Sequence, residues 1–395
     1  MYEKKRLLHF IGAAYVNGYL WVSALEWNGY YKVDIGTGKS EFLGLFKRAD
    51  VLADKLFNQV LAYEKYVFFI PWFSNHLVRL DTDNLNTKYW ELPSSIVVEV
   101  AKFRAANIYD KKIFMFPHCG NDICIFDIEK EEFECNRIWL DEFLENVKWN
   151  KEDKFLQGYQ KNEMVWLPNL SGGFIMKFNL MNYEYEIILF PENEKRIVDI
   201  VEDKKNNLLI LTEIGNVWEY GIDDGHKELK YKYHGKIKEP YRHVISTNNK
   251  LYLVPSKEKN IYVITGKKKN ILSYPFEWKL QYINVGIESI FSGYFKDGEK
   301  FIFYPCLGNM LLKIDSNKAN VLGTKIYEED IIYRRKEIIK HIKYIDISER
   351  ILSELRLDLR LFLDVIVKCK RKEKRINYLR RKNVQIWNIV KGNKT

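Results

Sequence analysis

A chain of 395 residues with 47% hydrophobic and 15% aromatic content has ample material for a core, yet is too long for one ordinary compact domain unless it is a barrel, a sandwich or a repeat array. Its formal charge of +10 is unevenly placed: residues 328–395 carry 19 Lys+Arg against 10 Asp+Glu, so the part before them is close to neutral. There is no secretory start and no run of about 18 apolar residues, which sets the expectation of a cytoplasmic protein without a membrane span.

Taken in chain order, the elements repeat. The first unit opens at Phe10, reaches the apolar burst Tyr19-Leu20-Trp21-Val22-Ser23, turns at Trp27-Asn28-Gly29 and closes a third strand at Asp34. The second runs from Phe57 through Val67-Phe68-Phe69-Ile70-Pro71 and Ser74-Asn75 to Asp81, then Thr87 to Leu92. The third repeats this with Phe103, Ile113-Phe114-Met115-Phe116-Pro117, Gly120-Asn121, Asp127 and Glu132 to Cys135. Phe155, Val165-Trp166-Leu167-Pro168, Gly172-Gly173 and Glu184 to Leu189 make the fourth, and Ile197, Leu208-Leu209-Ile210-Leu211-Thr212 and Gly215-Asn216 the fifth. Tyr241, Leu251-Tyr252-Leu253-Val254-Pro255 and Lys259-Asn260 make the sixth. Phe291, Phe301-Ile302-Phe303-Tyr304-Pro305, Gly308-Asn309 and Asp315 make the seventh. The anchors recur every 42–52 residues. Each unit reads strand, strand, hairpin, strand, turn, strand, with the Asn and Gly of each second-to-third-strand turn expected to supply positive φ.

After the seventh unit the pattern becomes helical. Ile331, Ile332, Ile338, Ile339 and Ile342 share a helical face, Asp346-Ile347-Ser348-Glu349 offers a capping box, and Leu355 to Val367 reads as a Leu-rich helix. Lys368 to Arg375 and Arg380-Arg381-Lys382 then form dense positive charge. The expected division is residues 1–327 and a basic helical extension over residues 328–395, the latter a docking element for a partner.

Seven four-stranded antiparallel units resemble the β-propeller of the WD40, kelch and NHL kind. The resemblance covers roughly residues 7–325 and rests on period and strand order. It implies an all-β, seven-bladed propeller with a C-terminal α-helical extension. No copy has the Trp-Asp dipeptide of WD40 repeats, and Gly172-Gly173 is the one double glycine of kelch type, so no particular family is implied.

In such an architecture the first strand of each unit lines a central channel. The connection into it and the hairpin between strands two and three open on one face, where binding residues gather. The polar residues after the anchors include Gln59, Arg104, Gln157, Asp199, Arg242 and His243, and the post-proline hairpins add Trp72, Phe73, His76 and His118. Arg104, Arg242 and His243 suit an anionic or glycan ligand, because guanidinium and imidazole groups make charge-assisted hydrogen bonds to carboxylate or phosphate. Gln157, Gln59, Trp72 and His118 complete the set of ligand-binding candidates.

The five cysteines are an odd number without paired CxxC spacing and read as free thiols; no metal site and no cofactor is expected. There is no GxSxG, HExxH or Gly-rich phosphate loop. The leading expectation is therefore a non-catalytic binding or scaffold protein holding a peptide, protein or glycan. The alternative is a propeller enzyme, a lyase, hydrolase or epimerase, with Arg104, His118, Arg242 and His243 at the channel mouth. Nucleic acid ranks below a protein partner because no reading motif accompanies the charge.

Overall fold

The computed structural model describes Leu8 and most of residues 10–323. Outside the described residues lie 26, 51–52, 97–100, 120–121, 137–154, 170–171, 195, 248–249, 259, 267, 273–290, 298–299, 306–309, 316–317 and 324–395. The predicted helical extension, its basic cluster and the turns Gly120-Asn121 and Gly308-Asn309 fall among the latter. The described strands all belong to the first of two units into which the chain divides, Met1–Ile331.

Blade 1 consists of β1 (Ala13–Val16), β2 (Tyr19–Ser23), β3 (Tyr30–Asp34) and β4 (Ser40–Gly44). Blade 2 has β5 (Phe57–Tyr63), β6 (Tyr66–Pro71), β7 (His76–Asp81) and β8 (Thr87–Glu91); blade 3 has β9 (Phe103–Tyr109), β10 (Lys112–Pro117), β11 (Ile123–Asp127) and β12 (Glu132–Asn136). Blade 4 is β13 (Tyr159–Lys161), β14 (Met164–Pro168), β15 (Phe174–Asn179) and β16 (Tyr185–Leu189). Blade 5 is β17 (Ile197–Glu202), β18 (Leu208–Thr212), β19 (Val217–Tyr220) and β20 (Lys227–Tyr231). Blade 6 comprises β21 (Tyr241–Thr247), β22 (Lys250–Pro255), β23 (Ile261–Thr265) and β24 (Lys268–Leu272). Blade 7 comprises β25 (Phe291–Asp297), β26 (Lys300–Pro305), β27 (Met310–Asp315) and β28 (Lys318–Gly323). Each sheet is antiparallel, with its strands in sequence order. The protein is an all-β, seven-bladed propeller.

The apolar bursts are continuous because the second strand of a blade is buried on both faces. In β10, Ile113 and Met115 pack with Phe68, Ile70 and Leu77 of blade 2, whereas Phe114 and Phe116 pack with Val165, Leu167 and Phe174 of blade 4. In β18, Leu208 and Ile210 face blade 4 while Leu209 and Leu211 face blade 6. Burying such side chains contributes about 1.5–3 kcal/mol each, so blade-to-blade packing holds the ring together.

The proline that ends a burst stands opposite the anchor that begins the blade: Phe57↔Pro71, Phe103↔Pro117, Tyr241↔Pro255 and Phe291↔Pro305. The Trp72 and His118 N–H groups, one residue on, donate to the carbonyls of Leu56 and Lys102 at 2.9 and 2.7 Å. The pair itself therefore needs no donor on that side. On the other side β6 leaves β7 after Phe69↔Val78, so Pro71 interrupts no ladder there either.

The hairpin reading of the second-to-third-strand turns holds, but its φ argument is corrected. Asn28, Asn75, Asn216 and Asn260 are not among the residues with positive φ; Gly215 is, at 88°. Positive φ concentrates in the other two hairpins, at Asn17, Asp110 and Lys111 between strands one and two and at Leu85, Glu131 and Tyr183 between strands three and four. Asn28 and Asn216 act through their side chains. Asn28 Oδ1 accepts the Phe46 N–H at 2.8 Å while its Nδ2 donates to the Phe46 and Asp50 carbonyls. Asn216 Oδ1 likewise accepts the Tyr233 N–H at 3.0 Å. Each clamps the chain leaving the fourth strand.

The strand-ending aspartates make Asx turns: Asp34, Asp81 and Asp127 each accept the N–H groups two and three residues on. Those bonds hold the carboxyls of Asp34 and Asp127 below the ordinary carboxylate range, and at Asp81 a bond from Lys65 leads. Asn179 fills the same place in blade 4. Between blades 7 and 1 the ring closes on Ser292 Oγ donating to the Phe10 carbonyl at 3.1 Å, Lys313 Nζ donating to the Ile35 carbonyl at 2.6 Å, and Tyr15 stacked on Phe295 at 4.6 Å. Among the described residues no helix is long and apolar enough to cross a membrane.

Candidate functional site

The chain enters five of the seven blades through a register shift. The ladders of blades 2, 3, 5, 6 and 7 slip by one residue just after the anchor, which leaves Asn58, Arg104, Val198, Arg242 and Ser292 as the extra residues. A bulge re-aims the side chain it carries. Of the polar row read from the sequence, Arg104 and Arg242 are themselves the bulge residues, Gln59, Asp199 and His243 each follow one, and Gln157 precedes β13 in a blade without a bulge.

Part of that row serves the scaffold. A first strand has one edge without a strand partner, and its N–H and C=O groups need partners. Gln59 Nε2 donates to the Arg104 carbonyl at 3.3 Å, Gln157 Oε1 accepts the Ala106 N–H at 3.0 Å, and Asp199 Oδ2 accepts the Val244 N–H at 2.9 Å. Gln59 and Gln157 therefore stitch blade 3 to its two neighbours.

Trp72, Arg104 and His118 gather between blades 2 and 3. The Arg104 guanidinium lies 5.7 Å from the Trp72 ring centroid, and His118 meets the same indole edge-on at 5.9 Å. Phe73 stacks on Trp72 at 6.1 Å with planes 8° apart and is 42% exposed. Sequence reasoning missed the residue beneath this arrangement, Lys102. Its N–H donates to the Trp72 carbonyl at 3.0 Å and so joins the two blades backbone to backbone. The side chain is buried, and its Nζ donates to the Phe73 carbonyl at 3.4 Å. No carboxylate pairs with it among the described residues, and burial lowers its ammonium pKa. The equivalent crossing between blades 5 and 6, where the Glu239 N–H donates to the Glu213 carbonyl, is neutralised by ion pairs of Arg196 and Lys257 with Glu239 and of Lys238 with Glu213.

Arg242 and His243 lie elsewhere, on β21 of blade 6. His243 is buried, its Nδ1 is 3.4 Å from Asp199 Oδ2 on β17, and neither ring nitrogen has a well-aligned hydrogen-bond partner. Tyr294 of β25 meets the imidazole edge-on at 5.4 Å. Burial, reinforced by the Asp199 charge, raises the Tyr294 phenol, and burial pushes Tyr304 up to about 12 against the opposing pull of Arg242. The sequence-derived set is thus divided among the junction of blades 2 and 3, the inner strands of blades 5 to 7 and, for Gln157, the junction of blades 3 and 4. His76 is half-buried with a pKa lowered chiefly by that burial, and among the described residues no group of His, Cys, Asp and Glu has metal-ligand geometry. Trp27 is buried, with its Nε1 donating to the Tyr31 hydroxyl at 3.1 Å, and belongs to the core.

Comparison with known proteins gives fold only. No family model matches the chain, and no curated protein matches it either. Among solved structures, a catalytically inactive virginiamycin B lyase from Staphylococcus aureus with quinupristin is similar, at 14% identity and a TM-score of 0.57, over 77% of this chain and 94% of that one. A streptogramin B lyase matches at 12% identity and a TM-score of 0.57, over 81% and 95%. PorZ, a surface component of the type-IX secretion system of Porphyromonas gingivalis, matches at 10% and 0.51, over 82% of this chain and 39% of its own. At these identities the likeness is one of architecture, and the neighbours differ in what they do.

Proposed function

We propose that the protein is a binding propeller whose loop-bearing face takes an acidic peptide or protein segment at the junction of blades 2 and 3. One observation carries the reading. The Lys102 ammonium is buried against a carbonyl, with no carboxylate pairing with it among the described residues, next to Arg104 and the Trp72–Phe73 pair. An incoming carboxylate supplies the missing counter-charge, and the stacked rings supply a flat apolar surface beside it. The test is selection of a random peptide library on the full-length protein. Recovered sequences rich in Asp and Glu, whose binding falls at least tenfold in W72A, R104A and K102M, support the reading. Neutral or basic sequences, or binding indifferent to those changes, overturn it.

A second reading is acid–base catalysis on the inner strands, favoured by the approach of His243 Nδ1 to Asp199 Oδ2 at 3.4 Å: on substrate binding the pair would close to a hydrogen bond and the imidazole would exchange a proton. Incubating a small-molecule extract of the native cells with wild-type and H243A protein tests it. A mass change produced by the wild type alone supports it, and identical profiles exclude it. The basic segment over residues 328–395 is proposed as a second docking element in a cytoplasmic protein. If truncation at Lys325 leaves every partner bound, that role is lost.

A further inference from the structure

Cys124 on β11 and Cys135 on β12 stand directly opposite each other in an antiparallel ladder. The turn joining these strands has the bonding of the blade 2 turn, where the Glu131 and Leu85 N–H groups return to the Asp127 and Asp81 carbonyls. In blade 2 the Asp81 N–H donates to the Asn86 carbonyl five residues on. By the same alternation Asp127↔Glu132 is a hydrogen-bonded pair, and Cys124↔Cys135, three steps along, is a non-hydrogen-bonded one. In such pairs the Cα atoms approach to about 4.5 Å, at the near end of the range a disulfide spans.

Both thiols are free and their sulfurs are 3.2 Å apart. Cys124 is buried in the core shared by blades 2 and 3, among Phe68, Ile113 and Phe126, while Cys135 is partly exposed at its margin. Burial pushes the Cys124 thiol well up, and the hydrogen bond from Cys124 lowers that of Cys135. The sulfur that water reaches is therefore the one that more readily becomes a thiolate, and the protonated one waits beside it. This is the division of labour between an attacking and a resolving cysteine.

We propose that Cys124 and Cys135 form a redox-reactive dithiol, oxidised by peroxide to a disulfide that joins β11 to the outermost strand of blade 3. The Cys135 thiolate attacks one peroxide oxygen, the O–O bond breaks and hydroxide leaves, which gives a sulfenic acid. The Cys124 sulfur then attacks the sulfenic sulfur, the S–S bond forms, and the hydroxyl leaves as water with the Cys124 proton. The sum is one peroxide and two thiols to one disulfide and two waters. This chemistry is independent of what the propeller binds.

The experiment uses the full-length reduced protein, treated with hydrogen peroxide, alkylated and digested after lysine and arginine. Cleavage at Lys130 separates Cys124 from Cys135, so their link appears as a joined pair of peptides, and fragmentation of the pair assigns the link to Cys124 instead of Cys119, which shares the peptide spanning residues 113–130. The expected result is that linked pair, two hydrogens lighter than its reduced parts and released by dithiothreitol. It should form at least tenfold faster in folded protein than in urea, and C124S should leave a Cys135 sulfenic acid that dimedone traps. Sulfinic acid at Cys135 with Cys124 still alkylated, a Cys119 link in its place, or equal rates folded and unfolded would each overturn the proposal. The wild-type peptide map decides the question even if C124S does not fold.

Discussion

Replacing Asn28 with alanine removes three hydrogen bonds from one buried side chain. Asn28 is 1% exposed, and its amide ties the hairpin before β3 to the N–H and C=O of Phe46 and to the carbonyl of Asp50. Phe46 is itself buried in the core between blades 1 and 2, so its N–H loses its partner with no water to replace it, whereas its carbonyl keeps the Ala49 N–H at 3.2 Å and the exposed Asp50 finds solvent. At about 1–3 kcal/mol for a stranded buried group, the expected loss is about 2 kcal/mol. For a domain of this size that is a fall of roughly 4 °C in melting temperature. Asn28→Asp keeps the acceptor for the Phe46 N–H but sets a carboxylate against two carbonyls, so it should lose at least as much. Asn84→Ala is the control. The Asn84 side chain accepts an N–H in an exposed turn, and its loss should cost less than about 0.5 kcal/mol. Thermal unfolding followed by circular dichroism measures all three. If Asn28→Ala melts within 1 °C of the wild type, the clamp is not the reason this turn carries an asparagine.

The Asx-turn aspartates make the ring acid-sensitive. Asp34, Asp81 and Asp127 have folded pKa values below their unfolded ones, so the stability they contribute is present above about pH 4. It is lost as pH falls through the lower folded values, and denaturant midpoints measured downward from pH 5 should show a drop that Asp127→Asn lessens. Gly158→Ala should disrupt blade 4, because a Cβ there would overlap the Trp166 backbone carbonyl and crowd Leu167. Loss of soluble folded protein, or a fall of many degrees in melting temperature, is the expected readout. Phe103→Ala, which empties a buried anchor position between blades 2 and 3, should cost about 3–5 kcal/mol in urea unfolding, whereas a value under 1 kcal/mol would deny the anchors their structural role.

The repeat was legible because its cause is local. A strand buried on both faces must be apolar throughout, which marks every blade with a burst, and in blades 2, 3 and 6 the chain leaves the third-strand ladder where Pro71, Pro117 and Pro255 stand. The bounds of β2 and β18 agree with the two degenerate bursts for that reason. The turn asparagines were recognised for the wrong reason: their bonds reach residues 17 or 18 positions away, such as Tyr233 and Phe46, which local turn rules do not see. The candidate site was legible only in part. Trp72 and His118 follow their prolines and Arg104 its anchor, so all three lie at positions the repeat defines. Lys102 carries no such mark, since its burial depends on a backbone bond to another blade. Gln59 and Gln157 looked like channel ligands because the unpaired edge they satisfy exists only once the ring has formed.

Each blade is woven from one segment of the chain, and among the described strands none is lent from one end of the ring to the other. Every sheet can therefore form from near neighbours as the chain lengthens, one blade templating the next. A single event differs in kind from all of these: the meeting of Ser292 with Phe10, residues 282 apart, and of Lys313 with Ile35, 278 apart. Closing so long a loop costs only slightly more than closing a shorter one, because the entropy grows with the logarithm of length. Among the described residues the join between blades 7 and 1 is a clasp of side chains instead of a shared ladder, fastened after the blades exist and able to open without unravelling any of them.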